Sequence, residues 1–250
     1  MNQPNKIQEA IHAYRTRHHL AGVQPLRAVL FDMDGVLFDS MPAHVRSWTE
    51  AAREVGLRMS SEDVYWFEGQ TGGYTINLLY ERTFGRKATE EERKHLYARK
   101  TELFVAYDSG ATLPDDVELV LEGVRDLKRL VVTGSSQASL LDRLDVAFPN
   151  IFRPELMVTG KDVSKGKPDP EPYLMGLKLG GISAHEAWVV ENAPMGVRSA
   201  VGAGIFTLAV NTGLLPDTAL LDEGASLVFR SMTELAETLP LLRSCWEAEG

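Results

Sequence analysis

Six short apolar runs punctuate this chain: RAVLF (27–31), RLVVT (129–133), ELMVT (155–159), AWVVE (187–191), IFTLAV (205–210) and SLVF (226–229). A compact apolar run without polar alternation reads as a strand buried on both faces. Stretches of helical character, such as DDVELVLEGVRDL and APMGVRSAVGAG, separate the runs. Strand and helix in alternation, with few hairpin signals, predict an α/β fold whose parallel sheet is covered on both sides.

The alternation is interrupted once. Residues 40–109 hold no strong β-branched run, only helical segments: MPAHVRSWTEAAREVG, SSEDVYWFEG, TINLLYERTFG and ATEEERKHLYARKTELFVAY. They predict a helical insertion placed straight after the first strand, with 27–39 and 110–250 as the α/β core. The charged stretch 89–102 reads as a solvated helix face with Glu and Lys in reach at i, i+4. Residues 1–26 form an N-terminal extension. There Ile7, Ile11, Tyr14 and His18 make the stripe of a short amphipathic helix, ended by Gly22 and Pro25 and packed on the body or on a second subunit.

Composition narrows the function classes. The 250 residues are 44% hydrophobic and 24% charged, an ordinary globular balance. The net charge of −9 argues against nonspecific binding to nucleic acid or anionic lipid. If the ligand is itself an anion, a cation or a few placed Lys and Arg must reverse the local field. The single cysteine, Cys245, permits neither a disulfide within the chain nor a zinc cluster of cysteines. Without a signal-like apolar run or a stretch of about 20 apolar residues, the expectation is a cytoplasmic protein that does not associate with membranes, monomeric or weakly homo-oligomeric.

Ligands of open parallel sheets bind beyond the carboxyl ends of the strands, so the residues that follow each run matter most. The first run leads into Asp32-Met33-Asp34-Gly35. Two carboxylates so close repel unless a cation sits between them or one is protonated, which favours a hard, oxygen-bound metal such as Mg2+. The second ends in Thr133-Gly134-Ser135-Ser136, hydroxyls and a glycine that make an anion cradle. After the third comes GKPDPEP, a stiff segment able to fix the ammonium of Lys167 against a phosphate oxygen, with Lys161 and Lys165 reading as surface residues. The fourth ends Glu191-Asn192-Ala193-Pro194, an acid and an amide oxygen suited to Mg2+ or to its water.

Taken together, DMDGVLFDS, TGS, GKPDPEP and ENAPMG resemble, in order, the four motifs of the haloacid dehalogenase superfamily of phosphotransferases. The insertion resembles the helical C1 cap of its β-phosphoglucomutase-like branch. The resemblance spans residues 27 to about 230 and implies a Rossmann-like, doubly wound parallel sheet carrying an all-helical cap. On the matching positions it implies Asp32 as nucleophile, forming an aspartyl-phosphate, and Asp34 as general acid and base. It implies Mg2+ held by Asp32, the Asp34 backbone carbonyl and Asn192 with Glu191 beside it, and a phosphoryl group held by Thr133, Gly134 and Lys167, with Ser135 adjoining. Asn192 departs from the Asp of many relatives and removes one negative charge from the metal.

The resemblance makes the cap loop WFEGQTGGYTIN the determinant of substrate. An ungapped alignment puts Gly72 where mutases of this branch carry an arginine and Glu68 where they carry a lysine. The loop resembles that of relatives acting as inorganic pyrophosphatases. Glu68 reaching the metal would restore the charge lost at Asn192 and leave room only for a small leaving group. The expected activity is therefore Mg2+-dependent hydrolysis of diphosphate, with weaker action on small sugar phosphates; a β-phosphoglucomutase is the alternative. His44 is expected to bond Asp34 or the leaving group and Trp48 to pack. Asp39 and Ser40 are expected at the hinge, where a helix N-cap explains them equally well.

Overall fold

The computed structural model describes residues 3–108, 112–135 and 140–248. Its elements run α1 (Gln3–Arg17), β1 (Ala28–Phe31), α2 (Met41–Glu54), α3 (Ser61–Phe67), α4 (Gly72–Phe84), α5 (Glu90–Tyr107), α6 (Val117–Gly123), β2 (Lys128–Val132), α7 (Leu140–Ala147), β3 (Met157–Val158), α8 (Glu171–Gly180), β4 (Ala187–Glu191), α9 (Pro194–Gly202), β5 (Phe206–Val210), α10 (Asp217–Leu221), β6 (Leu227–Phe229) and α11 (Met232–Glu247). All six predicted strands form. They make one parallel sheet in the order β3-β2-β1-β4-β5-β6. The third is shorter than its apolar run, because Pro154–Leu156 turn as a 3₁₀ segment.

The lack of polar alternation now has its cause. Side chains along a strand alternate between faces. Val29 and Phe31 pack with Val131, Val190 and Phe206 into one apolar layer beneath α1, α6 and α11. Ala28 and Leu30 pack with Leu130, Val189 and Tyr173 into another, beneath α8 and α9. Both faces are covered, so the buried strand positions are mostly apolar, and the buried Thr207 of β5 is kept by donating to the Ile205 carbonyl at 3.0 Å. From β1 the chain moves outward to β2 and β3, then returns to place β4 on the other side of β1. That reversal opens a crevice at the carboxyl ends of β1 and β4, the usual ligand position in such sheets.

The N-terminal segment is part of this body. Ile7, Ile11 and Tyr14 are buried. The Tyr14 ring meets Phe206 edge-on at 5.3 Å, and its hydroxyl donates to the Gly204 carbonyl at 2.8 Å. The helix stops at Arg17, short of His18, the last position of its predicted stripe.

Between β1 and β2, helices α2 to α5 enclose a separate apolar cluster that includes Trp48, Ala51, Ile76, Leu79 and Leu96. Their starts are locally encoded: Ser60 with Asp63, and Thr89 with Glu92, form capping boxes at α3 and α5. The expected junction at 109/110 lies outside the described residues. No helix among the described residues is long and apolar enough to cross a membrane.

Candidate active site

The turn after β1 positions the two aspartates. The Asp32 N–H still donates to the Val190 carbonyl at 3.0 Å, extending the parallel pairing by one residue, and the chain then turns sharply at Gly35. Gly35 has φ +84°, and a Cβ there would lie 2.0 Å from Asn192 Nδ2. Both conformation and space therefore exclude other residues. This close approach brings the ends of β1 and β4 together.

Lys167 arrives from the loop before α8 and is fully committed. Its Nζ lies 2.5 Å from Asp32 Oδ1, 2.6 Å from Glu191 Oε1 and 3.1 Å from the Val132 carbonyl. All three groups are buried. Burial pushes the Asp32 carboxyl up, as do Glu191 and Asp34, while Lys167 pulls it down. For Lys167, burial works against the charge, but Asp32 and Glu191 outweigh it and raise the ammonium above its usual value.

Glu191, expected at or beside the metal, has both carboxylate oxygens bonded within the protein. Oε1 accepts from Lys167 and from the Tyr173 hydroxyl at 2.9 Å; Oε2 accepts from the backbone N–H groups of Asn192 and Ala193 at 2.9 and 3.1 Å. With both oxygens taken by protein donors, it anchors Lys167 and shapes the turn into α9. A Cβ at Gly196 would fall on its carboxylate, so the first turn of α9 closes directly over it.

On the other wall, His44 of α2 sets its Nε2 3.3 Å from Asp34 Oδ1. Ser40, expected at the hinge or as an N-cap, occupies the N-cap position of α2 without a capping bond and donates instead to Asp34 Oδ1 at 2.5 Å. Burial alone would raise Asp34, but His44, Ser40 and Lys100 reverse it and hold the carboxyl well below its usual range.

Lys100 corrects the reading of 89–102 as wholly solvated. It is 4% exposed. Its Nζ sits 3.1 Å from His44 Nδ1 and 4.7 Å from the centre of the Phe104 ring. An ammonium has only donors, so Nδ1 accepts and the His44 proton resides on Nε2, facing Asp34. Burial lowers the Lys100 ammonium to about 8, with Asp34 opposing. Burial, then Lys100, lowers His44, against the pull of Asp34. The sequence held a signal for Lys100: it shares the buried stripe of α5 with Leu96, Leu103 and Phe104.

The predicted specificity loop lies down on the core. Asn192 Nδ2 donates to Glu68 Oε2 at 3.2 Å. Backbone lies on backbone, since a Cβ at Gly134 would be 2.6 Å from the Gly69 carbonyl oxygen. A Cβ at Gly166 would likewise lie 2.6 Å from the Thr71 methyl carbon. A side chain at Gly72 would have to displace the ring of Tyr97, which stands 2.2 Å from where its Cβ would be. Thr133 Oγ1 accepts from the Ser135 N–H at 3.1 Å, which ties the predicted anion cradle into a turn. Asp32, Asp34, His44, Glu68, Lys100 and Thr133 thus line one cavity of about 70 Å3, with Gly134 and Ser135 beside them.

The cavity suits a hard cation. Asn192 Oδ1 and Glu68 Oε1 are buried oxygens with no donor. Burial, then Asp32 and Asp34, pushes the Glu68 carboxyl well above its usual value, a cost that a cation would remove. No group of three His, Cys, Asp or Glu side chains able to hold a metal converges among the described residues. The donor set is mixed instead, carboxylate and amide oxygen, the chemistry Mg2+ takes.

A doubly wound sheet with paired aspartates after its first strand, a buried lysine and a helical lid defines a phosphoryl-transfer scaffold. The haloacid dehalogenase-like hydrolase family profile matches residues 29–210, and this chain belongs to that family. Hexitol phosphatase A of Escherichia coli (strain K12) is 34% identical over 85% of this chain and 94% of its own length. The phosphorylated carbohydrates phosphatase of Thermotoga maritima is 30% identical over 80% of this chain and 92% of its own. A solved structure described as "Putative beta-phosphoglucomutase from Bacteroides vulgatus" is 48% identical, covers 98% of this chain and all of its own, and superposes with a TM-score of 0.94. The family expected from the four motifs is the family found, and the chain is an enzyme of it.

Proposed function

We propose that the protein is a Mg2+-dependent phosphohydrolase working through an aspartyl-phosphate on Asp32, with inorganic diphosphate as its best substrate. The observation that carries this reading is the position of Glu68. Glu68 is half-buried, with Oε1 fully covered and Oε2 accepting from Asn192, in a cavity of about 70 Å3. Pockets for drug-sized ligands span roughly 300–1,000 Å3. A second phosphate group fits such a space better than a sugar.

A carboxylate oxygen of Asp32 attacks phosphorus and the bond to the leaving oxygen breaks. Asp34 is a carboxylate in the resting site; the anionic ligand beside it favours its protonation, and it then passes that proton to the leaving oxygen, with His44 and Lys100 facing it from the lid side. Asp34 then takes a proton from water as the water attacks the aspartyl-phosphate, releasing phosphate and restoring Asp32. Covalent catalysis divides one difficult displacement into two easier ones. Lys167, with the Thr133 hydroxyl and the backbone of Gly134, meets charge on the phosphoryl oxygens. Mg2+ would be held by Asp32, the Asp34 carbonyl, Asn192 and Glu68, and supplies charge neutralisation between nucleophile and phosphate.

Here Asn192 explains Glu68. An aspartate at 192 would face the lid carboxylate as a second anion, whereas the amide donates to it. The negative charge has moved from the core to the lid, so full neutralisation of the cation requires closure.

The second reading, a sugar-phosphate phosphatase or a β-phosphoglucomutase, is favoured by the names of the relatives. Gly72 stands against the mutase, since Tyr97 fills the space a phosphate-gripping side chain would need. Phosphate release from diphosphate and from a panel of hexose and hexitol phosphates, with Mg2+ and with EDTA, separates the readings. Diphosphate is expected to have the highest kcat/KM, and EDTA to abolish turnover. A hexose or hexitol phosphate turned over faster, or conversion of β-glucose 1-phosphate to glucose 6-phosphate without net phosphate release, would overturn the diphosphate reading.

A further inference from the structure

A second hollow lies on the lid, a groove of about 1200 Å3 between α2, the loop 56–60 and α4. Its charged lining is Arg46, Arg53, Arg58 and Arg82 against Glu50 and Asp63. The groove thus carries a positive excess on a chain of net charge −9. Two of the arginines are fixed in its wall. Arg82 forks onto Asp63 at 2.8 and 3.0 Å and donates to the Arg58 carbonyl; Arg46 lies 4.0 Å from the centre of the Tyr107 ring. Arg53 and Arg58 are exposed and form no ion pair among the described residues. The acid next to Arg53, Glu54, is committed to Arg99 at 2.8 and 2.9 Å.

The groove adjoins the active site. Met59 lines both the groove and the cavity that holds Asp32 and Lys100. Methionine is unbranched and flexible, a yielding partition. A phosphate anion approaching this protein meets an acidic surface and a site containing Asp32, Asp34, Glu68 and Glu191. A cleft with a surplus of one sign of charge concentrates counter-ions and raises their on-rate, and here Arg53 and Arg58 supply the surplus over Glu50 and Asp63. We infer that the arginine groove collects phosphate anions for the active-site cavity, with Met59 as the wall between them. The inference rests on the substrate being a phosphate anion, whichever phosphate that is.

Steady-state kinetics of the full chain test it, using Arg53→Gln/Arg58→Gln with diphosphate and with the monoester p-nitrophenyl phosphate. At low ionic strength kcat/KM is expected to fall about 3- to 10-fold with kcat unchanged. The fall should be larger for the more highly charged diphosphate. At about 1 M salt, where the screening length is about 3 Å, it should vanish. Arg153→Gln/Arg230→Gln makes the same change of two charges on the exposed core surface and should leave kcat/KM within error of wild type. An unchanged kcat/KM at low salt, a loss that persists at high salt, or an equal loss in Arg153→Gln/Arg230→Gln would overturn the groove. Salt-sensitive loss on the monoester in a protein inert to diphosphate would instead refute the diphosphate reading and leave the groove standing.

Discussion

The cavity has two unlike walls. On the sheet side every charge has its partner: Lys167 is shared between Asp32 and Glu191, and Glu191 spends its remaining capacity on Tyr173 and two backbone N–H groups. On the lid side, Glu68 Oε1 has no donor and Lys100 is buried against His44 and aromatic rings. Buried charge without a full set of partners is costly, and tertiary structure keeps it only where something else offsets it. The sheet wall leaves only the Asn192 Oδ1 carbonyl oxygen without a donor among its described buried side chains facing the cavity. The lid wall is half of an interaction whose other half is the ligand.

That contrast can be broken by experiment, most decisively at the nucleophile. Asp32→Asn should reduce phosphate release by at least about 10³-fold, because an amide is a poor nucleophile. Retention of Glu191 beside Lys167 should keep the protein folded, which a melting curve checks. Near-wild-type turnover would remove the covalent mechanism.

Lys100→Met tests the opposite wall, where activity and stability should move apart. Loss of the lid cation should cost about 10²-fold in kcat. Yet at pH 7 the variant should be the more stable protein, by up to about 3 kcal/mol, the equivalent of lowering the ammonium from 10.5 to about 8. Between those values the folded chain binds fewer protons than the unfolded one, so wild type gains stability as pH rises. The advantage of the variant should therefore be full below about pH 8 and fade toward pH 10.5, as denaturant titrations at several pH values would show. A variant less stable than wild type at pH 7 would mean that the lid wall is as well satisfied as the sheet wall.

Glu68→Gln sharpens the comparison by substrate. Diphosphate hydrolysis should fall roughly 10- to 100-fold, the scale seen when groups supporting a metal site are changed. Hexose phosphate hydrolysis should move far less, and equal losses would remove Glu68 from specificity. The smallest effect is expected at Gly72→Ala, where the new methyl meets the Tyr97 ring. Overpacking there should cost about 1–3 kcal/mol of stability. Much of it should return in Gly72→Ala/Tyr97→Ala, the coupling that a double-mutant cycle isolates.

Much of this was legible beforehand. β1, β2, β4 and their catalytic turns are local: an apolar run ends, and the next few residues supply Asp32, Thr133 or Asn192. Gly35 lies in the first of these turns, and Lys167 in the loop between β3 and α8. Lys100 was hidden because its neighbours in sequence are mostly charged and solvated, and only the packing of α5 on α2 puts it inside. The task of Glu191 was hidden for another reason. A carboxylate beside a metal site and a carboxylate bonded to lysine, tyrosine and two N–H groups have the same one-letter code.

The amino-acid order alone determined the number of strands, the place of the helical insertion and which segments carry reactive side chains, because periodicity and turn chemistry act over a few residues. Tertiary structure decided which wall each side chain joins, that Glu68 meets Asn192, and that Tyr97 occupies the room above Gly72. Those outcomes depend on burial and on contacts between residues far apart in the chain, and no local pattern encodes the space left when two surfaces close.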